Sequence, residues 1–334
     1  MATKYALHYT GTALPSGLWF DSATEWVDSL GAATTAPALG DTAVFNTTSD
    51  TTANQVMLNG TAAAPVTLQS ITGTIGNGSI LAAMNATFDA ATTLTWLASG
   101  FLRVNGPAVI NQGGMVVQAG TLTINENFTG PLFATPAFTN LGTITAHGAL
   151  VINPGGGSFT NDGTIVADSG TTVSTANGSI LADTGQTGTI ALSGAATLAI
   201  STGAVGQNVV FNDTASTLQL GTSGVYTQDL LTGFGTDGLG HFNSIYVPGG
   251  GSAQANVSVT WIAGTNTLQL KQFGSSVFAS FVLQGGSYTQ SSFSVVSVAS
   301  GGFANKDAVI TANTVACFGR GTHIETPDGA VVVE

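Results

Sequence analysis

Apolar and polar residues alternate along this chain in short runs, and apolar residues almost never follow the three- and four-residue spacing of an amphipathic helix. The runs are rich in Val, Ile and Thr, and Gly, Asn and Asp bound them, as is typical of β-strands separated by turns. The pattern therefore predicts an all-β protein. The clearest runs are Val56 to Leu58, Val66 to Ile71, Val116 to Ile124, Ile190 to Ile200, Val257 to Ile262 and Leu268 to Leu270.

A short motif recurs at nearly constant spacing. The segment Phe138 to Ile144 (FTNLGTI) returns as Phe159 to Ile165 (FTNDGTI). A third Gly-Thr-Ile begins at Gly188, at a slightly longer interval after the one at Gly163. A period of about 20–25 residues without helices indicates a solenoid whose coils each contain a few short strands. We therefore predict a right-handed parallel β-helix.

Four segments follow from this pattern. We predict an N-terminal cap over residues 1–50, β-helix repeats over 51–225, a C-terminal cap of β-hairpins over 226–312, and a separate short segment over 313–334. Stacked coils would bury a continuous ladder of Ile, Val, Leu and Phe, and we expect Asn and Gly to supply the turns at the corners. A pair of antiparallel β-sandwiches remains an alternative for the same alternation.

The charge balance excludes several kinds of partner. Lys plus Arg number 5, Asp plus Glu number 17, and charged residues make up 7% of the chain, so the net charge is −12. A basic stripe for nucleic acid, or for an anionic membrane surface, cannot be built from so few cations. In a solenoid, like charges at matching positions of successive coils would stack on one another and repel. This accounts for the rarity of charged residues in the chain. The neutral exterior favours glycans or a cell surface as partners and leaves the oligomeric state open.

The N-terminal residues, Met1 to Leu14, contain no apolar stretch of the kind that forms a secretory signal. No apolar run approaches the roughly 20 residues that span a bilayer. The scarcity of Lys and Cys and the abundance of Gly, Thr and Asn are nevertheless typical of bacterial extracellular proteins. We expect an extracellular or cell-surface location, with the export signal beyond residue 334.

Two tryptophans and a turn precede the repeats. Trp19 and Trp26 come before Pro37 to Asn46, which has the pattern Pro-x-x-Gly-Asp-x-Ala-x-Phe. This arrangement resembles the opening coil of autotransporter-type passenger proteins. Large aromatic side chains suit such a position because they can close the open end of an apolar ladder.

The last residues of the sequence, Ala316 to Glu334 (ACFGRGTHIETPDGAVVVE), contain its one cysteine. They resemble the first motif of the Hint (Hedgehog/intein) autoprocessing domain, in the bacterial form Cys-Phe-x-x-Gly-Thr-x-Ile-x-Thr-Pro-x-Gly-x-x-x-Val-Glu. The resemblance implies that the Cys317 thiol attacks the carbonyl of Ala316 and converts the peptide bond to a thioester. A thiolate suits this role because it is strongly nucleophilic near neutral pH and leaves well.

The Hint family also uses a Thr-x-x-His motif, whose His protonates the departing nitrogen, and a closing His-Asn pair. Neither occurs in the 334 residues, and His323 belongs to the first motif and cannot take that role. We therefore expect these residues to be inert by themselves, with Cys317 as a nucleophile that lacks its acid. A structural cysteine without chemistry is the alternative.

Signals for a metal or cofactor are weak. Gly233 to Leu239 overlaps the calcium-roll pattern, with Thr232 in place of its first glycine, but the pattern needs stacked copies and occurs once. The histidines are scattered singly, at His8, His147, His241 and His323. We expect no cofactor and no metal, and we interpret residues 233–239 as a turn.

Polysaccharide lyases and hydrolases use β-helices, so an enzyme is a second functional hypothesis. Such enzymes need paired carboxylates or a basic residue beside acidic ones. Arg103 stands without another cation nearby, and the glutamates are only Glu25, Glu126, Glu325 and Glu334.

Ice binding through aligned Thr-x-Thr rows is a third hypothesis. The segments that suggest it are Thr93-Leu94-Thr95, Thr121-Leu122-Thr123 and Thr143-Ile144-Thr145. The interval from the first segment to the second is longer than that from the second to the third, which is uneven for a flat array.

Overall fold

The structure, a computed structural model, is nearly all β. It describes residues 3–6, 18–19, 26–28, 30, 32–35, 41–44, 55–59, 66–69, 71–76, 80–104, 106, 108–125, 136–176, 178–183, 185–201, 204–221, 226–248, 257–272, 276–299, 306–313, 323–326 and 329–332. These residues contain no α-helix, and the two helical turns, Ala263–Thr265 and Gln290–Ser292, are 3-10 helices. The all-β prediction is confirmed.

The chain divides into two compact units, and the first holds residues 1–166 and 173–184. This unit has three sheets. Sheet 1 contains Thr3–Ala6, Trp26–Val27, Ala33–Thr34, Thr42–Val44, Thr72–Ile75, Thr93–Trp96, Gly114–Val117 and Thr143–Ala146. Sheet 2 contains Leu18–Trp19, Gln55–Asn59, Ile80–Met84, Gly100–Val104, Thr121–Asn125 and Ala149–Asn153. Sheet 3 contains Val66–Leu68, Ala86–Phe88, Val109–Asn111, Ala137–Asn140, Ser158–Asn161 and Ile180–Leu181. Thr164–Ala167 and Thr172–Thr175 cross the division between the units.

From residue 72 to residue 161 the chain visits sheets 1, 2 and 3 in that order, coil after coil, and the coils stack in parallel register. Thr93 pairs with Thr72 on one side and with Gly114 on the other, and Gly114 pairs with Thr143. The coils that begin at Thr72 and Thr93 are therefore equal in length, and the coil that begins at Gly114 is longer. This is a parallel β-helix, as predicted, and its parallel register excludes antiparallel sandwiches for these coils.

Alternate residues of each strand point inward and form apolar stacks. In sheet 1, Leu94 pairs with Met115 and Met115 with Ile144, and all three are fully buried. In sheet 3, the rings of Phe138 and Phe159 stack with their centroids 5.3 Å apart. The core is therefore a set of ladders that run from coil to coil, and each coil needs its neighbours to bury its inward face.

A ladder of asparagines lies inside sheet 3, although the sequence pattern predicts asparagine at the turns. Asn111, Asn140 and Asn161 are fully buried strand residues. The amide of Asn111 donates to that of Asn140 at 2.7 Å, and Asn140 donates to Asn161 at 2.8 Å. An amide can both donate and accept, so the stack pairs buried polar groups that would otherwise destabilise the core, although the amide oxygen of Asn111 at its end accepts no hydrogen bond.

The glycine of the Gly-Thr-Ile motif is required by close packing of the coils. A Cβ on Gly142 would lie 2.1 Å from the carbonyl oxygen of Gly113, and one on Gly163 would lie 2.2 Å from that of Gly142. Neither glycine has a positive φ. Both glycines lie between two strands, at a corner as expected, and the motif marks a column where the backbones of successive coils touch.

The second unit holds residues 167–172 and 185–334. Sheet 4 contains Gly188–Leu192, Gln207–Phe211, Tyr226–Thr232, Ser276–Gln284, Thr267–Gln272 and Val257–Ile262 in that spatial order. Sheet 5 contains Thr197–Ile200, Thr217–Leu220, Ser244–Val247, Lys306–Ala312 and Phe293–Ala299. The remaining strands are Ala204–Val205, His323–Thr326 and Gly329–Val332.

The second unit changes from parallel to antiparallel pairing. Tyr226–Thr232 still pairs in parallel with Gln207–Phe211, so parallel coils continue past residue 225. Beyond them, Ser276–Gln284, Thr267–Gln272 and Val257–Ile262 form an antiparallel meander. The hairpin strands predicted for this part of the sequence are present.

Two predicted strands are each divided in the structure. Val116 to Ile124 spans two strands that turn at Gly120, whose φ is +70°. Ile190 to Ile200 likewise spans two, and Gly194 and Ala195 at its turn have φ values of +61° and +63°. Alternating apolar residues continue through such a turn because both strands face the same core, which conceals the turn in the sequence.

The predicted N-terminal cap is described only in part. Trp26 is fully buried and lies in a short strand that pairs antiparallel with Tyr5 and Ala6. The side chain of Trp19 and most of the Pro37 to Asn46 segment lie outside the described residues.

Candidate functional site

Ala316 and Cys317, the predicted cleavage site, lie outside the described residues. Later in the same motif the structure describes an antiparallel pair, in which His323–Thr326 runs beside Gly329–Val332 with Thr326 opposite Gly329. The Hint interpretation of these residues therefore stays a prediction.

The strands of the first unit carry few charged residues. Among the strands described in sheets 1–3, only Lys4 and Arg103 are charged residues. One outward row of sheet 1 runs through residues paired from strand to strand, namely Thr42, Thr72, Thr93, Gly114 and Thr143. Sheet 3 presents a similar row of Thr67, Thr87, Ile110, Thr139 and Thr160. Hydroxyls thus recur on these rows at multiples of the strand spacing, about 4.8 Å.

The three Thr-x-Thr segments do not form one array. Thr93–Trp96 and Thr143–Ala146 belong to sheet 1, but Thr121–Asn125 belongs to sheet 2. On sheet 1 the strand Gly114–Val117 separates the two threonine strands. Each coil contributes one strand to each sheet, and the coil that begins at Thr93 returns to sheet 1 at Gly114. Thr121 comes later than that return, so its segment lies in sheet 2.

The described aspartates mostly hold turns together. One carboxylate oxygen of Asp28 accepts the backbone N–H of Leu30 and of Ala32. Asp213 accepts three backbone N–H groups, from Ala195, Ala215 and Ser216, at 2.8–3.1 Å. Such carboxylates act as local caps. Among the residues that the structure describes, no group of three or more His, Cys, Asp or Glu is placed to hold a metal ion.

In the segment that overlaps the calcium-roll pattern, an aspartate again holds the turn. The carboxylate of Asp237 accepts the backbone N–H of Leu239 at 2.7 Å and lies 2.5 Å from Nδ1 of His241. The carboxylate oxygen that accepts from Leu239 also accepts the backbone N–H of His241 at 3.3 Å. These contacts agree with the interpretation of residues 233–239 as a turn.

Asp229 is an acidic residue to which the sequence pattern assigns no role. It lies on Tyr226–Thr232, next to a shift in strand register, and its side chain is 2% exposed. Burial raises the pKa of its carboxyl to about 7, and the hydrogen bond from the backbone N–H of Gln207 only partly opposes this shift. The flanking strands, Gln207–Phe211 and Ser276–Gln284, carry no titratable side chain. The sequence shows only a lone Asp in this strand, preceded by Gln228 and followed by two leucines.

We expect the second unit to lose stability as the pH rises from about 4 to about 7, because Asp229 keeps its proton when folded and releases it when unfolded. Its contribution is fully present below its ordinary pKa of 3.8 and is lost as the pH passes its folded value of about 7. The total change is on the order of 4 kcal/mol. Denaturant unfolding of the wild type and of Asp229→Asn across this range measures it. The difference between the two free energies should change with pH, and parallel curves would contradict the expectation.

The comparisons with known proteins add no family. The chain matches no protein-family model, and no curated protein matches its sequence. Within the described residues, no helix is long and apolar enough to cross a membrane. The resemblance to the Hint domain therefore rests on residues 316–334 themselves.

Proposed function

We propose that the β-helical part of this protein is an extracellular, non-enzymatic scaffold of a bacterial surface or adhesin-like protein. The observation that carries the proposal is the threonine-rich outer face of the coils, on which charged residues are rare. Hydroxyl rows on a rigid sheet suit weak, repeated contacts with the hydroxyls of a glycan. The net charge of −12 disfavours polyanionic partners.

Binding to insoluble neutral glycans tests this proposal. We expect retention on the glycan to be nearly equal at low and high salt, because no ion pair contributes and salt screens only charges. A charge placed on the face in use should reduce retention. Thr95→Asp places it on sheet 1 and Thr139→Asp places it on sheet 3, so each variant is the other's control. Absence of retention on neutral glycans, or retention that high salt abolishes, would contradict the proposal.

The same incubation separates a scaffold from an enzyme. A lyase would release unsaturated sugars, and a hydrolase would release reducing ends. Asp28 and Asp213 are engaged with turn N–H groups, and Arg103 lies half-buried on sheet 2. We expect no product, and turnover of any polysaccharide would overturn the assignment of a scaffold.

We further propose that residues 316–334 open an autoprocessing domain of the Hint type. In that chemistry the Cys317 sulfur attacks the carbonyl carbon of Ala316, and the bond from that carbon to the Cys317 nitrogen breaks. The nitrogen takes up a proton, and water then hydrolyses the thioester to the Ala316 carboxylate and a free thiol. The support is the match of the residues to the motif. Sequencing the N-terminus of the released fragment tests it, since that fragment must begin at Cys317.

A further inference from the structure

Sheet 5 carries a row of hydroxyl groups on its outward side. In its middle strand Ile245 and Val247 face the core and are buried, so Ser244 faces outward. Ser244 pairs with Thr217 on one side, and the pairing of Ile245 with Ile310 places Thr311 beside it on the other. The complete row, one residue from each strand in spatial order, is Thr197, Thr217, Ser244, Thr311 and Ser294. Every position has a hydroxyl group, and all of these residues are half-buried.

A second outward row runs beside the hydroxyl row and contains an aromatic ring. The residues of this row, paired from strand to strand, are Ala199, Gln219, Tyr246, Val309 and Val296. Val296, at the end of the row, is 54% exposed, and the others are half-buried. No residue of either row is charged. The outward side of sheet 5 therefore presents hydroxyl groups in one row and mainly apolar atoms in the next.

A buried carboxylate holds the Tyr246 side chain in place. The Tyr246 hydroxyl donates to Asp307, which lies on the same outward side of the sheet and yet is only 5% exposed. Burial and the neighbouring Asp307 raise the pKa of this hydroxyl to about 12, so the hydroxyl keeps its proton near neutral pH and continues to donate. Because the hydroxyl is engaged, the half-buried ring is the part of Tyr246 that can contact a ligand. A ring that is already fixed loses little conformational freedom on binding.

The two rows match the chemistry of a neutral sugar chain. One face of a pyranose ring exposes C–H groups that pack against an aromatic ring, and the hydroxyls at its edge donate and accept hydrogen bonds. Neighbouring strands lie about 4.8 Å apart, which is close to the length of one sugar unit in an extended polysaccharide. The Thr217 and Ser244 hydroxyls are 2.9 Å apart, and each can accept further hydrogen bonds beside the one that they share. The rows contain no cation for an acidic sugar.

We propose that the outward side of sheet 5 binds a neutral polysaccharide, whose chain crosses the strands with one sugar ring packed on Tyr246 and its hydroxyls bonded to the row of Thr217 and Ser244. This inference rests on the proposed scaffold function and assigns to it a particular surface in the second unit. Tyrosine suits the central position because it offers a large, rigid contact area with few rotatable bonds.

Retention of the full 334-residue chain on cellulose, chitin and mannan tests the proposal. On each glycan that retains the wild type, Tyr246→Ala should lower the affinity about tenfold or more, since the ring is the central contact. The matched control is Phe101→Ala, which removes another exposed aromatic ring from the outward side of sheet 2 and should be retained like the wild type. Tyr246→Phe keeps the ring and loses the hydrogen bond to Asp307, so it should keep most of the retention.

The outcomes separate this surface from the scaffold function. Wild-type retention that a folded Tyr246→Ala leaves unchanged would overturn the present inference and leave the scaffold function standing. Equal losses in Tyr246→Phe and Tyr246→Ala would also overturn it, because they would show that Tyr246 acts only by covering Asp307. If Tyr246→Ala does not fold, Val296→Asp replaces it, since this charge at the exposed end of the same row should reduce retention without disturbing the core. A wild type that no neutral glycan retains would contradict both proposals.

Discussion

Cys317→Ala is expected to abolish cleavage of the bond between Ala316 and Cys317 in a gene product that supplies the remaining Hint motifs after residue 334. No methyl group can accept the acyl chain, so the thioester cannot form. The wild-type product should yield a fragment that ends at Ala316 and one that begins at Cys317. Mass spectrometry of both fragments measures the effect, which is complete loss rather than a reduced rate.

Chemical probes sharpen this experiment. Hydroxylamine or an added thiol should accelerate wild-type cleavage, because each intercepts a thioester far faster than an amide. Cys317→Ser should leave at most a slow remnant that passes through an ester. The 334 residues by themselves should stay intact under the same treatment, since they contain no Thr-x-x-His motif. Continued cleavage at this bond in Cys317→Ala would remove the Hint assignment.

Replacing Ile144 with aspartate is expected to destabilise the first unit by about 4 kcal/mol or more, because it buries an unpaired carboxylate. Ile144 is fully buried between Met115 and the next coil, whereas its neighbour Thr143 is exposed. Thr143→Asp should therefore change the free energy of unfolding by less than about 0.5 kcal/mol. The two substitutions place the same charge on opposite sides of one strand.

Thermal and denaturant unfolding of the two variants measure this difference. The loss in Ile144→Asp should be greatest in the coils next to the substitution, since contacts in a solenoid join neighbouring coils only. Hydrogen exchange along the chain can locate it. Equal destabilisation by Thr143→Asp and Ile144→Asp would mean that the inward and outward assignment of this strand is wrong.

The repeat that predicts the fold also indicates where its asparagines lie, which the assignment of asparagine to turns overlooks. Phe138 and Asn140 are separated by one residue, as are Phe159 and Asn161, so each pair must point to the same side of its strand. The phenylalanines belong to the core, and the asparagines have to follow them. Asparagine is more common at turns, and its burial here depends on the matching amide in the next coil.

Other features leave no periodic trace. The N–H of Gln207 donates to Asp229, and the Gln290 amide binds Trp261, although each pair lies far apart along the chain. A glutamine in a polar loop and an aspartate in a strand are ordinary in a sequence. The raised pKa of Asp229 and the hydrogen bonds of the Gln290 amide arise only because the fold places a distant stretch of chain beside each residue.

The amino-acid sequence alone determined the class of fold and the repeat of its coils, because the inward side of a strand is set by alternation and the stacking of coils by the recurrence of the Phe-Thr-Asn motif. It also supplied the whole argument for Cys317. The tertiary structure decided where the strands divide, which asparagines are inside, why the motif glycines are needed and what holds the Tyr246 hydroxyl. These four features depend on contacts between segments that are distant in the sequence. The alternation of residues along one strand does not encode such contacts.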